Sequence, residues 1–286
     1  MDDSRFLIIG SKGQLGIALA KRFPKAKTVD QDELDITNQD SLKRFDWSNV
    51  DVILNAAAYT NVDGAETPEG RIAAWQVNAS AVGYLSSLAI THDLIVVHVS
   101  TDYIFDGTKN PHREDEPFSP LSVYGQSKAA GDIALSIAPK HYILRTSWVI
   151  GEGKNFVRTM MGLAAKNVSP TVIVDQIGRL TFTSTLVDAA EQLLKTKAAY
   201  GVYNVSNEGD PASWADITRL IFKELGRDDL IVTDTTTTEY FASKPNVAPR
   251  PHMSAMSLDK IKATGLPLRD WHDELSTYIK EELVKE

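Results

Sequence analysis

A tyrosine and a lysine lie four residues apart in the segment Tyr124-Gly-Gln-Ser-Lys128. Residues at this spacing share one face of a helix, so the pattern predicts that the Lys128 ammonium lies near the Tyr124 hydroxyl. A neighbouring cation favours phenolate and lowers the pKa of a tyrosine from about 10. Such a phenol can exchange a proton with a carbonyl oxygen while hydride moves at the carbon.

A polar segment directly follows the apolar run Ile95–Val99 and contains Thr101. A hydroxyl at the carboxyl end of a strand stands where open α/β sheets bind ligands. We therefore expect Thr101 to hold the same carbonyl oxygen as Tyr124. His98 lies within the apolar run and is interpreted as a hydrogen-bonded core histidine rather than a catalytic one.

Three glycines mark a turn in Gly10-Ser-Lys-Gly13-Gln-Leu-Gly16, after an apolar run and before a helical pattern. Glycine permits a tight turn, and the following helix N-terminus offers free N–H groups to a pyrophosphate. The first two glycines are one residue further apart than in the Gly-x-Gly-x-x-Gly fingerprint. The position between strand and helix nevertheless predicts a dinucleotide site.

Two residues give opposing indications about which dinucleotide is bound. Asp30 lies 20 residues after Gly10, where an acid can bind the adenosine ribose and repel a 2′-phosphate. Lys12, inside the glycine turn, would instead attract that phosphate. The choice between NADH and NADPH stays open.

These residues must be positioned by apolar runs that alternate with amphipathic stretches. Strands separated by helices predict an α/β protein with a parallel sheet covered on both faces. We expect a Rossmann-type doubly wound fold over residues 1–150 and a smaller α/β substrate-binding lobe over residues 151–286, with about 171–200 returning to the first domain. Predicted strands are Phe6–Ile9, Val52–Leu54, Ile95–Val99, Tyr142–Leu144, Val172–Val174 and Val202–Val205, and predicted helices are Gln14–Arg22, Ala65–Ala89, Val123–Ser136, Leu186–Lys195, Trp214–Leu225 and Trp271–Val284.

The composition excludes several classes of protein. The 286 residues contain no cysteine, so disulfide frameworks and thiolate chemistry are ruled out. The net charge of −8 lacks the basic cluster typical of nucleic-acid binding, and no metal-ligand spacing is found among the histidines. The acidic N-terminus does not read as a signal peptide, and no apolar run would span a membrane, which together predict a cytoplasmic protein.

In their order along the chain, these motifs resemble the dTDP-4-dehydrorhamnose reductase family, which consists of NAD(P)-dependent extended short-chain reductases. The resemblance runs nearly end to end, and the combination is far more specific than any single piece. It is carried by the glycine turn, Asn55-Ala-Ala-Ala-Tyr59, Ser100-Thr-Asp-Tyr-Ile-Phe-Asp106, Tyr124-Gly-Gln-Ser-Lys128, Arg145-Thr-Ser-Trp148 and Asp175-Gln-Ile-Gly-Arg-Leu-Thr181.

The resemblance implies reduction of a C4 keto group on dTDP-4-dehydro-6-deoxy-L-mannose, giving dTDP-L-rhamnose for a cell-surface polysaccharide. Thr101, Tyr124 and Lys128 would be the catalytic residues, with NADH or NADPH as cofactor. The glycine-turn pattern and the resemblance together place in cofactor binding Gly10, Lys12, Gly13, Gln14, Leu15, Gly16, Asp30, Asp35, Ile36, Ala57, Ala58, Tyr59, Val99, Tyr124 and Lys128. Those it implies in substrate binding are Thr101, Asp102, Trp148, Asn155, Gln176 and Arg179.

Two departures and two alternatives accompany this interpretation. Ala18 stands where some members carry an acid that binds a dimer-linking magnesium, so a monomer or a homodimer without that metal is expected. Leu180 stands where members of the family usually carry a proline, in the segment that begins at Asp175. Tyr103 stands where dehydratases of this fold need a second acid–base residue, which argues against dehydration. A nucleotide-sugar epimerase of the same fold and a non-catalytic NAD(P)-binding regulatory subunit remain alternatives.

Overall fold

The computed structural model describes residues 2–285, and a six-stranded parallel sheet lies at its centre. The strands are β1 (Phe6–Ile9), β2 (Lys27–Val29), β3 (Val52–Asn55), β4 (Ile95–Thr101), β5 (His141–Thr146), β6 (Val149–Ile150), β7 (Thr171–Ile173), β8 (Ile177–Gly178), β9 (Thr181–Phe182), β10 (Gly201–Asn204), β11 (Ala212–Ser213) and β12 (Thr233–Thr235). The order in the central sheet is β10-β5-β4-β3-β1-β2. Strand order therefore runs outward in both directions from the boundary between β1 and β3, which is the topological switch point of the sheet. This is the predicted doubly wound arrangement.

Helices cover both faces of this sheet. Some of the chain's helices do this, and others lie in its second half. The helices are α1 (Gln14–Arg22), α2 (Gln39–Arg44), α3 (Pro68–Trp75), α4 (Ala81–His92), α5 (Val123–Leu135), α6 (Phe156–Ala165), α7 (Thr183–Thr196), α8 (Trp214–Glu224), α9 (Thr237–Phe241), α10 (Asp259–Lys262) and α11 (Trp271–Lys285). Alternate side chains of β1 enter different cores, since Phe6 and Ile8 pack with α1 and α7 while Leu7 and Ile9 pack with α2, α4 and α5. A strand buried on both faces explains its uninterrupted apolar sequence.

A third core belongs to the second half of the chain. Side chains of α6, α8 and α11 pack there around Phe182 and the fully buried Leu180. Three short strand pairs border this core, namely β6 with β9, β7 with β12, and β8 with β11. Helix α7 packs on α1, and β10 joins the central sheet, so residues from the second half also complete the first core. The proposed domain boundary at residue 150 stays a prediction.

The predicted helical stretch Ala65–Ala89 is helical almost throughout, but it is not one regular α-helix. The structure has a short 3-10 turn, then α3, a π turn over Gln76–Ser80, and then α4. At the π turn Asn78 leaves regular helix geometry and exchanges two hydrogen bonds with the backbone of Tyr59, at 2.9 and 3.0 Å. An inserted π turn of this kind preserves apolar spacing on both sides, so periodicity does not show it.

None of the helices within residues 2–285 has both the length and the apolar character that crossing a membrane requires.

Candidate active site

Helix α5 carries Tyr124 and Lys128 to the carboxyl end of β4. Its first turn is capped by Ser122, whose Oγ accepts from Gly125 N–H at 3.1 Å. Gly125 allows the helix to touch the segment after β4, because a Cβ at this position would collide with the Tyr103 carbonyl oxygen. The close approach brings the two α5 residues beside Thr101 at the end of the strand.

A cavity of about 460 Å³ opens at these strand ends, and we call it the strand-end cavity. It is lined by residues from the glycine turn, from the segment after β3, from the ends of β4 and β5, and from α5. Its predicted members are Gly13, Gln14, Leu15, Ala58, Val99, Thr101, Asp102, Tyr124, Lys128 and Trp148. Side chains that are distant in sequence therefore share one space, as expected at the carboxyl edge of a parallel sheet.

The environment of Tyr124 differs from the sequence prediction. Desolvation in the cavity raises the pKa of Tyr124 to about 12, although a hydrogen bond with Thr101 acts in the opposite direction. The predicted lowering by Lys128 is wrong, because Lys128 Nζ is directed toward β4. It donates to Val99 O at 2.7 Å and lies 3.2 Å from His98 Nε2. Tyr124 is therefore a protonated phenol at neutral pH.

Asp102 is the second titratable group with an unusual pKa in the strand-end cavity. Its side chain is buried, and Thr101 Oγ1 donates to Asp102 Oδ1 at 3.2 Å. Burial raises the pKa of Asp102 to about 7, against hydrogen bonds that lower it. Near neutral pH this group is therefore able to exchange a proton within the cavity.

A second cavity of about 360 Å³ lies on the other side of the glycine turn, and we call it the glycine-turn cavity. The two cavities share Gly13, Ala56 and Ala58. The predicted residues that line the second one are Gly10, Gly13, Asp30, Asp35, Ile36, Ala57, Ala58 and Tyr59. Because they share these residues, the cavities adjoin across the N-terminus of the first helix and form one groove, a layout that suits a molecule with two end groups joined by a polar linker.

The glycine turn itself leaves backbone donors at the middle of this groove. Gly13 precedes α1 with extended backbone, and no side chain among residues 2–285 caps the helix there. The first amides of a helix have no acceptor within it, so a bound anion satisfies them. A Cβ on Gly16 would collide with the Gly10 carbonyl oxygen, which explains why the turn needs glycine at this position.

Comparison with known proteins agrees with this geometry. The profile of the family described as RmlD substrate binding domain matches residues 4–284. A dTDP-4-dehydrorhamnose reductase from Aggregatibacter actinomycetemcomitans is 40% identical over 95% of this chain and 97% of its own.

The chain belongs to the dTDP-4-dehydrorhamnose reductase family.

Two solved structures of that family superpose closely on the chain. The Clostridium acetobutylicum reductase has a TM-score of 0.89 at 34% identity and covers 98% of this chain and 99% of its own. The Bacillus anthracis reductase, solved in complex with NADP, has a TM-score of 0.89 at 30% identity and covers 98% and 100%. The fold of a dTDP-4-dehydrorhamnose reductase is thus present from end to end.

Five residues that the family resemblance assigned to binding lie outside both cavity linings. Lys12 is exposed and pairs with Asp32 at 3.2 Å, and Gly16 lies within α1. Asn155 caps α6 through Arg158 N–H and donates to Tyr278 Oη at 2.8 Å. The other two are held by protein groups: Gln176 by Thr237 and Trp214, and Arg179 by the carbonyls of Gly209 and Met256.

Thr146 and Ser147 are among the hydroxyl residues of the strand-end cavity that sequence reasoning missed. Thr146 is the register partner of Thr101 on the neighbouring strand, and its Oγ1 is buried without a hydrogen-bond partner within residues 2–285. Both residues follow the apolar run of β5, which is the same signal that identified Thr101 after β4. The family motif around Arg145 contained them but led only to Trp148.

Proposed function

We propose that this protein reduces the C4 keto group of dTDP-4-dehydro-6-deoxy-L-mannose to give dTDP-L-rhamnose, with NADH or NADPH as the reductant. The single observation that carries the proposal is that Tyr124 and Thr101 line one cavity at the strand ends, and that this cavity adjoins the glycine-turn cavity. Family membership supports the nucleotide-linked sugar as the substrate class.

The groove suits a dinucleotide on structural grounds. Uncapped amides of α1 would hold its pyrophosphate, and Asp30, Asp35 and Ile36 would line the adenosine end. Asp30 already accepts the backbone N–H groups of Lys12 and Gln31 at 3.0 and 2.8 Å, so it stands fixed at the cavity wall. When bound, the reduced nicotinamide supplies the hydride that the C4 carbon requires.

The chain's own residues supply the proton and the orientation. Tyr124 would donate its hydroxyl proton to the C4 oxygen as negative charge develops there, because the phenol is protonated at neutral pH and lines the cavity with Thr101. Thr101 would hold the same oxygen by a hydrogen bond. Lys128 would bind the cofactor ribose from the floor of the cavity. Asp102 and Trp148 would contact the sugar from the opposite wall.

The remaining assignments complete the proposal. Gly10, Gly13, Gln14, Leu15, Ala57, Ala58, Tyr59 and Val99 would border the cofactor. Asn155, Gln176 and Arg179 would support the nucleotide side of the substrate by fixing the loops around it, since their polar atoms are bonded to protein groups. A cytoplasmic location and a monomer or homodimer remain predictions.

A substrate panel tests the proposal. Purified protein would be mixed with dTDP-, UDP- and GDP-linked 4-keto-6-deoxy sugars and with each cofactor, and the loss of the reduced-nicotinamide absorbance would be followed. We expect fastest turnover with the dTDP sugar. Absence of turnover with every pair, in protein that binds cofactor normally, would remove the enzyme assignment and favour a binding role.

A further inference from the structure

The buried contacts of Lys128 form a chain of three side chains. Lys128 Nζ lies 3.2 Å from His98 Nε2, and His98 Nδ1 lies 3.0 Å from Asn55 Nδ2. Asn55 and His98 are register partners on β3 and β4, so their side chains lie side by side beneath α5. All three residues are at most 2% exposed, so water does not compete for these contacts.

The backbone fixes the direction of hydrogen bonding at the far end of this chain. Ala57 N–H donates to Asn55 Oδ1 at 3.2 Å, and a backbone N–H group has no acceptor capacity. The carboxamide orientation of Asn55 is thereby set, and its NH₂ group faces His98. His98 Nδ1 must accept this hydrogen bond.

The tautomer of His98 follows from that orientation. Burial holds the pKa of His98 well below its usual range, so the ring is neutral. A neutral imidazole has one donor and one acceptor nitrogen. Since Nδ1 accepts from Asn55, the ring proton is on Nε2, and this N–H group points at Lys128 Nζ.

An ammonium group has three donors and no lone pair, so it cannot accept from His98 Nε2–H. A neutral amine can accept that hydrogen bond and still donate to Val99 O at 2.7 Å. We propose that Asn55 and His98 are positioning residues that shift the protonation equilibrium of Lys128 toward the neutral amine when no ligand is bound. Burial acts in the same direction, since it lowers the pKa of Lys128 to about 8.

Other charged groups around Lys128 do not reverse this conclusion. Asp132, on the same helix, favours the ammonium through its charge, but it is paired with Arg145 of β5 at 3.1 Å. Asp102 at the end of β4 and Tyr124 on α5 line the same cavity, and burial raises the pKa of both, so near neutral pH Tyr124 is uncharged and Asp102 is only partly ionised.

The inference deepens the proposed function, because the cationic Lys128 that would bind the cofactor ribose is the form that the contact with His98 disfavours. That consequence depends on the proposed function, whereas the protonation state itself does not. The first test therefore uses ligand-free protein with ¹⁵N-labelled histidine and ¹³C-labelled lysine side chains. His98 and Lys128 resonances would be assigned by their loss in His98→Gln and Lys128→Met.

We expect the His98 ring to carry its proton on Nε2, with Nδ1 unprotonated, and Lys128 to titrate with a midpoint at or below pH 8. A ring proton on Nδ1, or a higher Lys128 midpoint, would overturn the inference. These readings need no turnover, so they stand whether or not the protein reduces a sugar nucleotide.

A single near-isosteric substitution should reverse the direction of the hydrogen bonds among these three side chains. In Asn55→Asp, the carboxylate accepts from both Ala57 N–H and His98 Nδ1–H, so His98 Nε2 becomes an acceptor for an ammonium. The Lys128 midpoint should rise by about 1–3 pH units. The profile of kcat against pH should move in the same direction, which a merely structural role would not cause.

Asn78→Asp provides the matched control, since it also adds a buried carboxylate under α5 but bonds to Tyr59 and Ser127 rather than to His98. Its His98 tautomer should remain that of the wild type. A tautomer in Asn55→Asp that is unchanged from the wild type would show that Asn55 does not direct the ring.

Discussion

The indole ring of Trp148 lies on that of Trp214, with centroids 3.7 Å apart and planes inclined by 19°. Trp148 follows β5 with a φ of 46°, a conformation that bulky residues adopt rarely and that tertiary packing must hold. Trp214 begins α8 and donates from Nε1 to Gln176 Oε1 at 3.3 Å. The pair therefore connects the wall of the strand-end cavity to the core of the second lobe.

Removing the Trp214 ring should weaken sugar binding, although Trp214 itself does not line the strand-end cavity. Aromatic pairs are worth about 0.5–1.5 kcal/mol beyond buried area, so Trp214→Leu should raise KM for the sugar nucleotide roughly 2–10-fold. Trp214→Phe keeps a stacked ring and should lie closer to the wild type. Steady-state kinetics with saturating cofactor measure this. An unchanged KM in Trp214→Leu would show that Trp148 holds its place without its partner.

Tyr124→Phe should remove the proton donor while keeping the ring. General acid–base groups contribute about 10²–10⁴-fold, so kcat should fall by that factor while the cofactor Kd stays within about twofold. Tyr103→Phe is the matched control, because Tyr103 packs edge-on against Tyr124 with ring centroids 5.7 Å apart and lines the same cavity. Equal losses in both variants would mean that Tyr124 is not the specific acid.

The buried Asp102 should make folding stability depend on pH. Its folded pKa is about 7, above the value near 3.9 of an unfolded chain, so between these values only the folded protein keeps the proton. The stabilisation is complete below about pH 3.9 and is lost as the pH rises to about 7. Asp102→Asn should therefore gain stability relative to the wild type between pH 5 and pH 8, by about 1.4 kcal/mol for each tenfold difference in proton affinity.

Denaturant unfolding at several pH values measures this gain. Asp115→Asn is the control, because the Asp115 side chain is 80% exposed and its substitution should alter stability little at any of these pH values. If the difference between Asp102→Asn and the wild type were the same at pH 5 and pH 8, Asp102 would already be ionised throughout that range.

Arg145 has a structural role within its motif. Its Nε lies 3.1 Å from Asp132 Oδ2, and Nη1 donates to Glu114 O at 3.0 Å, with both side chains of the ion pair almost fully buried. Removing one partner leaves a buried charge, so Arg145→Met should lower the free energy of unfolding by about 3–5 kcal/mol. Arg145→Lys keeps a charge and should lose less. Stability equal to the wild type in Arg145→Met would mean that Asp132 is neutral in the folded protein.

Much of the central sheet could be predicted from sequence because its strands are buried on both faces. Unbroken apolar runs such as Phe6–Ile9 carry that signal, and the helix Gln14–Arg22 was predicted with the bounds it has. The short strands of the second half were missed in part because two residues, as in β8 and β11, show no periodicity. The π turn was missed because it is set by the side-chain bonds of Asn78.

The site was predictable in its residue types but not in its electrostatics. The position of Thr101 directly after a predicted strand indicated a ligand-binding hydroxyl, and helical spacing placed Tyr124 and Lys128 on one face. Spacing cannot show what a side chain contacts, however. Lys128 contacts His98 and Val99 because α5 packs against β4. The same contact gives His98, interpreted as a core histidine, a part in the protonation of the site.

Isotope transfer from cofactor to product tests the central claim most directly. The protein would be incubated with dTDP-4-dehydro-6-deoxy-L-mannose and nicotinamide cofactor deuterated at C4, and the product would be examined by NMR spectroscopy and mass spectrometry. We predict dTDP-L-rhamnose with deuterium at C4 of the sugar and one oxidised cofactor released for each product formed. A product without deuterium, or an altered sugar formed without net cofactor oxidation, would contradict the account.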